Sequence, residues 1–172
     1  MTNERHGAVT IQGNALTVIG NPVSVGDSAP DVTLTDNGMQ PVKISDSNGK
    51  VRLISVVPSL DTGICDLQTR RMNEEAAALG DDVVILTVSA EHPFNQKRWV
   101  GAAEVDAVKV LSDHQAMEFG EAYGLYIKEW RLEQRAMFVL DRDGKVTYTE
   151  YVPEVAQHPD YDAALNAVKA AV

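Results

Sequence analysis

The chain has 172 residues, of which 44% are hydrophobic and 23% charged, a composition typical of a soluble globular protein. Its net charge of −10 argues against nucleic acid and anionic membranes as partners, because both require basic surfaces. No apolar run approaches the ~18 residues of a membrane span, and the N-terminus lacks the apolar segment of a secretory signal. The single cysteine, Cys65, favours a reducing cytoplasm. We therefore expect one cytoplasmic domain over residues 1–172.

Two β-hairpins stand out in the pattern of strands. Residues 9–18 alternate between apolar and polar around Gly13-Asn14, which predicts an N-terminal hairpin. The turn sequence Asp-Arg-Asp-Gly at 141–144 predicts a second hairpin from its flanking β-favouring runs. Further strands are predicted at 31–35, 40–44, 51–57, 82–89 and 108–112.

The predicted helices alternate with the central strands. They lie at 65–79, 93–103, 115–123 and 160–171. Two buried strands, at 51–57 and 82–89, are joined by the first of these helices, so we expect them to be parallel with a right-handed crossover. The whole pattern predicts an α/β fold with a central mixed sheet, helices on both of its faces and an N-terminal β-hairpin.

The stretch 58–65 is the best candidate for a functional site. Pro58 ends a strand because it has no N–H group for the ladder, and residues 61–63 are turn and helix-cap types. Cys65 then falls in the first turn of a helix, where partial positive charge favours a thiolate. A lone cysteine is otherwise most often a small buried hydrophobe. Since the carboxyl edge of an α/β sheet is a common place for sites, position alone leaves a reactive and an inert thiol equally open.

The sequence Pro-Ser-Leu-Asp-Thr-Gly-Ile-Cys at 58–65 closely resembles the active-site signature of the thiol peroxidase subfamily of peroxiredoxins. Its Pro-x-x-x-Thr-x-x-Cys core is highly specific. The resemblance covers nearly the whole chain and includes the segments 92–99, 122–124, 135–136 and 159–161. It implies a thioredoxin-like fold, the reduction of hydrogen peroxide and organic hydroperoxides, and a homodimer whose interface lies near the site.

The resemblance also implies a role for individual residues. Cys65 matches the peroxidatic cysteine, and Thr62 matches the threonine whose hydroxyl contacts thiolate and peroxide. Pro58 matches the proline that shields the sulfur, and Arg135 matches the arginine that completes the pocket from a neighbouring strand. Each of the last three positions also has a simpler alternative, which is a helix cap alone for Thr62, a strand stop alone for Pro58 and a solvated surface charge for Arg135.

Ionisation of the thiol does not by itself explain a fast peroxidase. An ordinary thiol is only about 3% thiolate at pH 7, so a lower pKa can raise the reactive thiolate fraction about 30-fold. A thiolate of lower pKa is also a weaker nucleophile, however, and this removes roughly tenfold of the gain. The larger contribution must come from groups that stabilise charge on the peroxide oxygens. The candidate donors are Arg135, the Thr62 hydroxyl and the backbone N–H groups near Cys65.

The chain departs from the family pattern after Arg98. Many thiol peroxidases carry a resolving cysteine in this segment, where the chain has Trp99, Val100 and Gly101. Because Cys65 is the only cysteine, no disulfide can form within one chain. Its sulfenic acid must react with an external thiol, from thioredoxin, a thioredoxin-like reductant or a small thiol, or with Cys65 of another chain. A natural single-cysteine protein and a cysteine replaced by Val100 both fit the sequence.

Other functions fit the sequence less well. A disulfide reductase normally needs Cys-x-x-Cys, and the chain has Thr-Gly-Ile-Cys at 62–65. The main alternative is a peroxide-sensing redox signalling protein without efficient turnover, and the simplest is a binding domain with an inert thiol. The histidines lack metal-ligand spacing and no nucleotide-binding motif occurs, so we expect neither a metal nor another cofactor.

Overall fold

The computed structural model describes residues 2–172 and contains two β-sheets with helices packed around the larger one. The helices are α1 (Gly63–Leu79), α2 (Pro93–Ala103), α3 (Glu118–Ala122) and α4 (Tyr161–Ala171). The strands are β1 (Glu4–Ile11), β2 (Asn14–Ile19), β3 (Thr33–Asp36), β4 (Pro41–Lys43), β5 (Val51–Val56), β6 (Val83–Ser89), β7 (Lys109–Ser112), β8 (Tyr126–Ile127), β9 (Leu132–Glu133), β10 (Ala136–Leu140) and β11 (Val146–Tyr151).

The larger sheet is mixed, as the sequence predicts. Its strand order is β11-β10-β5-β6-β7-β3-β4. Strands β5, β6 and β7 are parallel neighbours, whereas β10 and β3 run antiparallel to them on either side. Every residue of β5 is buried, which is expected of a central strand covered on both faces.

Two apolar clusters lie on opposite faces of this sheet. Alternation along β5 sends Leu53 to one cluster and Ile54 to the other. The first cluster contains residues of α1, α2 and α4, and the second contains Phe119 and Tyr123 at α3. Helices therefore flank both faces of the sheet, and the helix that carries Cys65 packs against the apolar cluster on one of them.

The N-terminal hairpin is also confirmed, but it belongs to a second sheet that the sequence did not predict. Strands β1 and β2 join through Gln12 and Gly13, which both have positive φ values (49° and 78°), so the turn lies one residue before Gly13-Asn14. The sheet continues through β8 and β9. These strands have two residues each, too few to produce a recognisable alternation.

Helix α3 is shorter than the predicted range of 115–123. The carboxylate of Asp113 accepts hydrogen bonds from the backbone N–H groups of Phe119 (3.1 Å) and Gly120 (2.8 Å), which caps the helix from a residue well before its start. Its end agrees with the prediction, because Gly124 follows with a φ of 68°. The remaining helices begin within about two residues of their predicted starts, a normal uncertainty for helix ends.

Three further expectations from the sequence concern membrane-spanning helices, metal sites and the number of domains. Each helix within residues 2–172 is too short or too polar to cross a membrane. Over the same residues, no group of three or more His, Cys, Asp or Glu side chains is arranged to bind a metal ion. The assignment of residues 1–172 to one domain stays a prediction, and Met1 lies outside the described residues.

Candidate active site

Cys65 lies where strand β5 passes into helix α1. The chain leaves the strand at the buried Pro58, crosses the carboxyl edge of the sheet and reaches Thr62, which immediately precedes the helix. Cys65 is the third residue of α1, is a free thiol, and is 0% exposed. It therefore sits within the first helical turn, where backbone N–H groups lack helical partners and favour negative charge.

The guanidinium of Arg135 contacts the sulfur of Cys65. Its Nη2 donates a hydrogen bond of 3.3 Å to Sγ, and Arg135 as a whole is only 1% exposed. The same nitrogen donates to the carbonyl oxygen of Val155 at 3.1 Å. Arg135 therefore presents a buried positive charge directly to the sulfur. The alternative of Arg135 as a solvated surface charge is therefore wrong.

Gln68 is part of the site, although sequence reasoning missed it. Its Oε1 accepts a hydrogen bond of 2.8 Å from Nη1 of Arg135, and its Nε2 donates to the hydroxyl of Ser55 at 2.8 Å. The residue is 0% exposed. Helical spacing was the available signal, because residues three apart share a helix face and Gln68 follows Cys65 by that interval. Glutamine is common on helix surfaces, so this signal alone was weak.

Thr62 lies near the sulfur but its hydroxyl points elsewhere in this structure. The hydroxyl donates a hydrogen bond of 3.1 Å to the carbonyl oxygen of Ser59. Among the described residues, it makes neither a capping bond to α1 nor a hydrogen bond to Cys65. The predicted contact of this hydroxyl with thiolate and peroxide stays a prediction, as does the shielding role of Pro58.

A cavity of about 350 Å³ is lined by Arg135, whose guanidinium contacts the sulfur of Cys65. Pro58 and Thr62 line it as well. Its walls are mainly apolar and come from the hairpin sheet, α1 and the segment after β11, through Ile11, Ile64, Trp130, Leu132 and Val155. Cys65 itself is fully buried, and the Pro58–Thr62 loop contributes three residues to the lining, Pro58, Ser59 and Thr62. The cavity is large enough for a peroxide with an organic substituent.

The N-terminal hairpin positions the carbonyl group that orients Arg135. The backbone N–H of Val155 donates to the carbonyl of Thr10 at 2.8 Å, in a short parallel contact. The carboxylate of Glu154 accepts a hydrogen bond of 2.9 Å from the backbone N–H of Gln12 in the hairpin turn. The smaller sheet thus holds residues 154–155 against the guanidinium.

Two buried carboxyl groups, those of Glu133 and Asp113, lie near the start of the Arg135 segment. Glu133 is 0% exposed, and neither of its carboxyl oxygens has a hydrogen-bond partner among residues 2–172. Burial raises the pKa of Glu133 well above its ordinary value, and the nearby carboxylates of Asp113 and Glu91 raise it further. Burial also raises the pKa of Asp113.

Comparisons with known proteins identify the family to which the chain belongs. The redoxin family model matches residues 24–165. The chain is 54% identical over 165 residues to a thiol peroxidase of Halalkalibacterium halodurans, covering 96% of this chain and 99% of the relative. It is also 54% identical over 164 residues to the thiol peroxidase of Bacillus subtilis, covering 95% and 98%.

The solved structures agree with the sequence relatives. A peroxiredoxin-like protein from Aquifex aeolicus matches with a TM-score of 0.89 and 33% identity over 99% of each chain. The matched lengths include both the strand-to-helix turn at Cys65 and the strand that follows Arg135. The chain therefore belongs to the redoxin family and, within it, to the thiol peroxidases.

Proposed function

We propose that Cys65 is the residue that reduces the peroxide and that Arg135 stabilises both its thiolate and the leaving oxygen. As a thiol peroxidase, the protein is an enzyme of the peroxiredoxin type. The observation that carries the residue assignment is the 3.3 Å hydrogen bond from Nη2 of Arg135 to Sγ of Cys65. A donor that already touches the sulfur needs little movement to reach an oxygen bound to that sulfur.

The proposed oxidation takes place at the sulfur of Cys65. The thiolate attacks the peroxide oxygen that carries hydrogen, an S–O bond forms and the O–O bond breaks. The electron pair of that bond goes to the departing oxygen, which takes a proton from solvent and leaves as water or an alcohol. Cys65 is oxidised by two electrons to a sulfenic acid. Arg135 and Thr62 both line the cavity in which the peroxide oxygens would lie, and the Thr62 hydroxyl would have to leave the carbonyl of Ser59 to reach them.

The apolar walls of the cavity support organic hydroperoxides as substrates beside hydrogen peroxide. Trp130, Leu132 and Val155 would present hydrocarbon surface to an alkyl or aryl group, while Arg135, in the same lining, would contact the polar oxygens. Burial of such a group would add binding free energy that hydrogen peroxide cannot supply.

The sulfenic acid is proposed to be reduced by an external thiol, such as thioredoxin or a similar reductant. Its sulfur is attacked by the thiol, water leaves, and a mixed disulfide forms that a second thiol releases. Val100, at the position of the family's resolving cysteine, lies on α2 and packs against the core. A cytoplasmic location, which the single cysteine favours, stays a prediction.

We also propose that the protein is a homodimer with an interface beside the site. Trp130 is 43% exposed and Leu67 is 57% exposed, and both lie on elements adjoining the cavity. Large apolar side chains this exposed, on elements that adjoin one cavity, fit an interaction surface. Sedimentation of the wild type should give twice the chain mass, and a monomer at micromolar concentration would contradict this proposal.

Peroxide consumption with a series of electron donors tests the enzymatic function. Wild-type protein should turn over hydrogen peroxide and cumene hydroperoxide with at least one donor, and Cys65→Ser should be inactive. Val100→Cys tests whether an internal disulfide changes which donor is accepted. A protein that oxidises once and then stops with every donor would favour the peroxide-sensing alternative, which the match to thiol peroxidases does not favour.

A further inference from the structure

The carboxylate of Glu91 binds the loop that covers Cys65. Glu91 lies between β6 and α2, and its Oε1 accepts hydrogen bonds from the hydroxyl of Ser59 (2.8 Å) and the backbone N–H of Leu60 (2.9 Å). Its Oε2 is 3.1 Å from the same N–H. Hydrogen bonds from neutral donors to an ionised carboxylate are among the stronger ones in proteins. Glu91 thus holds the middle of the loop between Pro58 and Thr62.

The other side of Glu91 is anchored in the core. Its Oε2 accepts a hydrogen bond of 2.6 Å from the hydroxyl of Ser89, which is 0% exposed. Ser89 in turn accepts a hydrogen bond of 2.9 Å from Nε2 of Gln96, another fully buried side chain. Gln96 also donates to the carbonyl of Leu111 on β7 at 2.9 Å. Glu91 therefore connects Ser59 and Leu60 in the loop to buried polar side chains at the edge of the sheet.

The two half-reactions make opposite demands on this loop. In the closed loop, Cys65 is 0% exposed, and the Thr62 hydroxyl is bonded to the carbonyl of Ser59, next to the Glu91 contact. This arrangement keeps the donors near the sulfur in place for a small peroxide. A thiol reductant is larger, because a protein or a substituted carbon is attached to its sulfur. It must approach the Cys65 sulfur directly, so the loop has to open after oxidation.

We propose that Glu91 is a positioning residue that latches the Pro58–Thr62 loop closed for peroxide reduction and must be released before an external thiol reduces Cys65. The proposal rests on the thiol peroxidase function given above. Breaking the latch should therefore slow the oxidative half-reaction and accelerate the reductive one. A side chain that only stabilises the fold would not change the two rates in opposite directions.

The chain provides a matched control for this latch. Asp61, in the same loop, forms a second link to α2 through an ion pair with Arg98 at 3.7 Å. Both side chains are largely exposed (62% and 71%), and such surface pairs contribute little. Arg98→Gln removes this outer link while leaving the Glu91 bonds intact. It should behave like the wild type in both half-reactions.

Single-turnover stopped-flow experiments measure the two half-reactions separately. Oxidation is followed with hydrogen peroxide, and reduction of the preformed sulfenic acid is followed with the coloured thiol thionitrobenzoate. Glu91→Ala should oxidise about tenfold more slowly and be reduced several-fold faster than the wild type. Glu91→Gln keeps an acceptor for Ser59 and Leu60 but loses the charge, so its rates should lie between those of the wild type and Glu91→Ala. Hydrogen exchange of the Leu60 amide should be slowest in the wild type, faster in Glu91→Gln and fastest in Glu91→Ala.

The outcomes separate the latch from the enzymatic function. Rates that fall together in both half-reactions, or that remain unchanged in Glu91→Ala, would overturn the latch while the wild type still reacts. A wild-type protein that fails to react with hydrogen peroxide would overturn the peroxidase function itself. If Glu91→Ala does not fold, Ser59→Ala and Glu91→Gln carry the test, and unchanged rates in both would equally overturn the proposal.

Discussion

The side-chain oxygen of Gln68 accepts a 2.8 Å hydrogen bond from Nη1 of Arg135, and this contact fixes which edge of the guanidinium faces the sulfur. Nη2 is then left to donate to Cys65 and to the carbonyl of Val155. Helix α1 supplies the nucleophile and, one turn later, the residue that orients its cationic partner. The reactive geometry therefore depends on neutral residues as well as on the charged pair.

Replacing Gln68 with Ala should slow peroxide reduction by about 10- to 100-fold, because the guanidinium loses the contact that orients it. Stability should also fall, by about 1–3 kcal/mol, since Ser55 and Arg135 lose a buried partner. Thr69→Val is the control, as it removes a buried 2.9 Å hydrogen bond to the carbonyl of Cys65 and leaves the guanidinium contacts intact. Comparable slowing of both variants would show that lost stability, rather than orientation, explains the effect.

Arg135→Ala should reduce the rate constant with hydrogen peroxide by about 10²- to 10³-fold, the size expected for loss of a donor to a developing oxyanion. The deficit should persist at a pH high enough to ionise the thiol of the variant fully. Stopped-flow rates across pH, with the thiolate followed by ultraviolet absorbance, measure both quantities. A deficit that disappears once the thiol is ionised would assign Arg135 to ionisation alone. Arg135→Lys keeps the charge without the planar guanidinium, so its rate constant should lie between those of the wild type and Arg135→Ala.

Trp130→Ala should weaken the reaction with cumene hydroperoxide by about tenfold and leave that with hydrogen peroxide nearly unchanged, because only the organic group contacts the apolar wall. Phe94→Ala is a suitable control, since Phe94 is a more exposed aromatic residue (63%) outside the cavity. The measurement is kcat/KM for both peroxides in all three proteins. Equal losses for the two peroxides would argue against a substrate-binding wall.

Glu133→Gln should make the protein more stable at neutral pH. A carboxyl group whose folded pKa is raised stabilises the fold fully below its unfolded pKa, and this contribution is lost as pH rises through the folded pKa. The free energies of unfolding of the wild type and the variant should therefore be equal near pH 4 and separate as pH increases. The melting temperature of the variant should be higher by roughly 2–4 °C for each kcal/mol gained.

The exposed Glu74→Gln provides the control for this pH dependence. It should follow the wild-type stability curve within about 0.5 kcal/mol, as surface substitutions usually do. Thermal unfolding measured from pH 4 to pH 8 compares the three proteins. A Glu133→Gln protein less stable than the wild type at every pH would show that the buried carboxyl group is held by interactions that the amide cannot replace.

Much of the fold was predictable because the main elements are long and have clear periodicity. The buried runs that became β5 and β6, and the turn at 141–144, needed no tertiary information. The two-residue strands β8 and β9 were not predictable, since their structure depends on pairing with β2. The start of α3 was also missed, because Asp113 caps it through the fold rather than from the adjacent position.

The site was predictable in its chemistry and less so in its supporting contacts. Cys65 and Arg135 were identified from the family resemblance, and the structure brings them within 3.3 Å. Gln68 and Glu91 were missed because neither belongs to the quoted signature and each acts through a contact made only in the folded chain. Glu133 was missed for the opposite reason, since a glutamate in sequence is expected to be exposed and this one is buried.

Intact-protein mass spectrometry after one equivalent of hydrogen peroxide tests the central role of Cys65 most directly. If Cys65 reduces the peroxide with the help of Arg135, the monomer should gain one oxygen atom, a sulfenic-acid trap should label Cys65, and Arg135→Ala should be largely unreacted over the same interval. An unmodified Cys65 thiol in the wild type, with peroxide still consumed, would contradict the account.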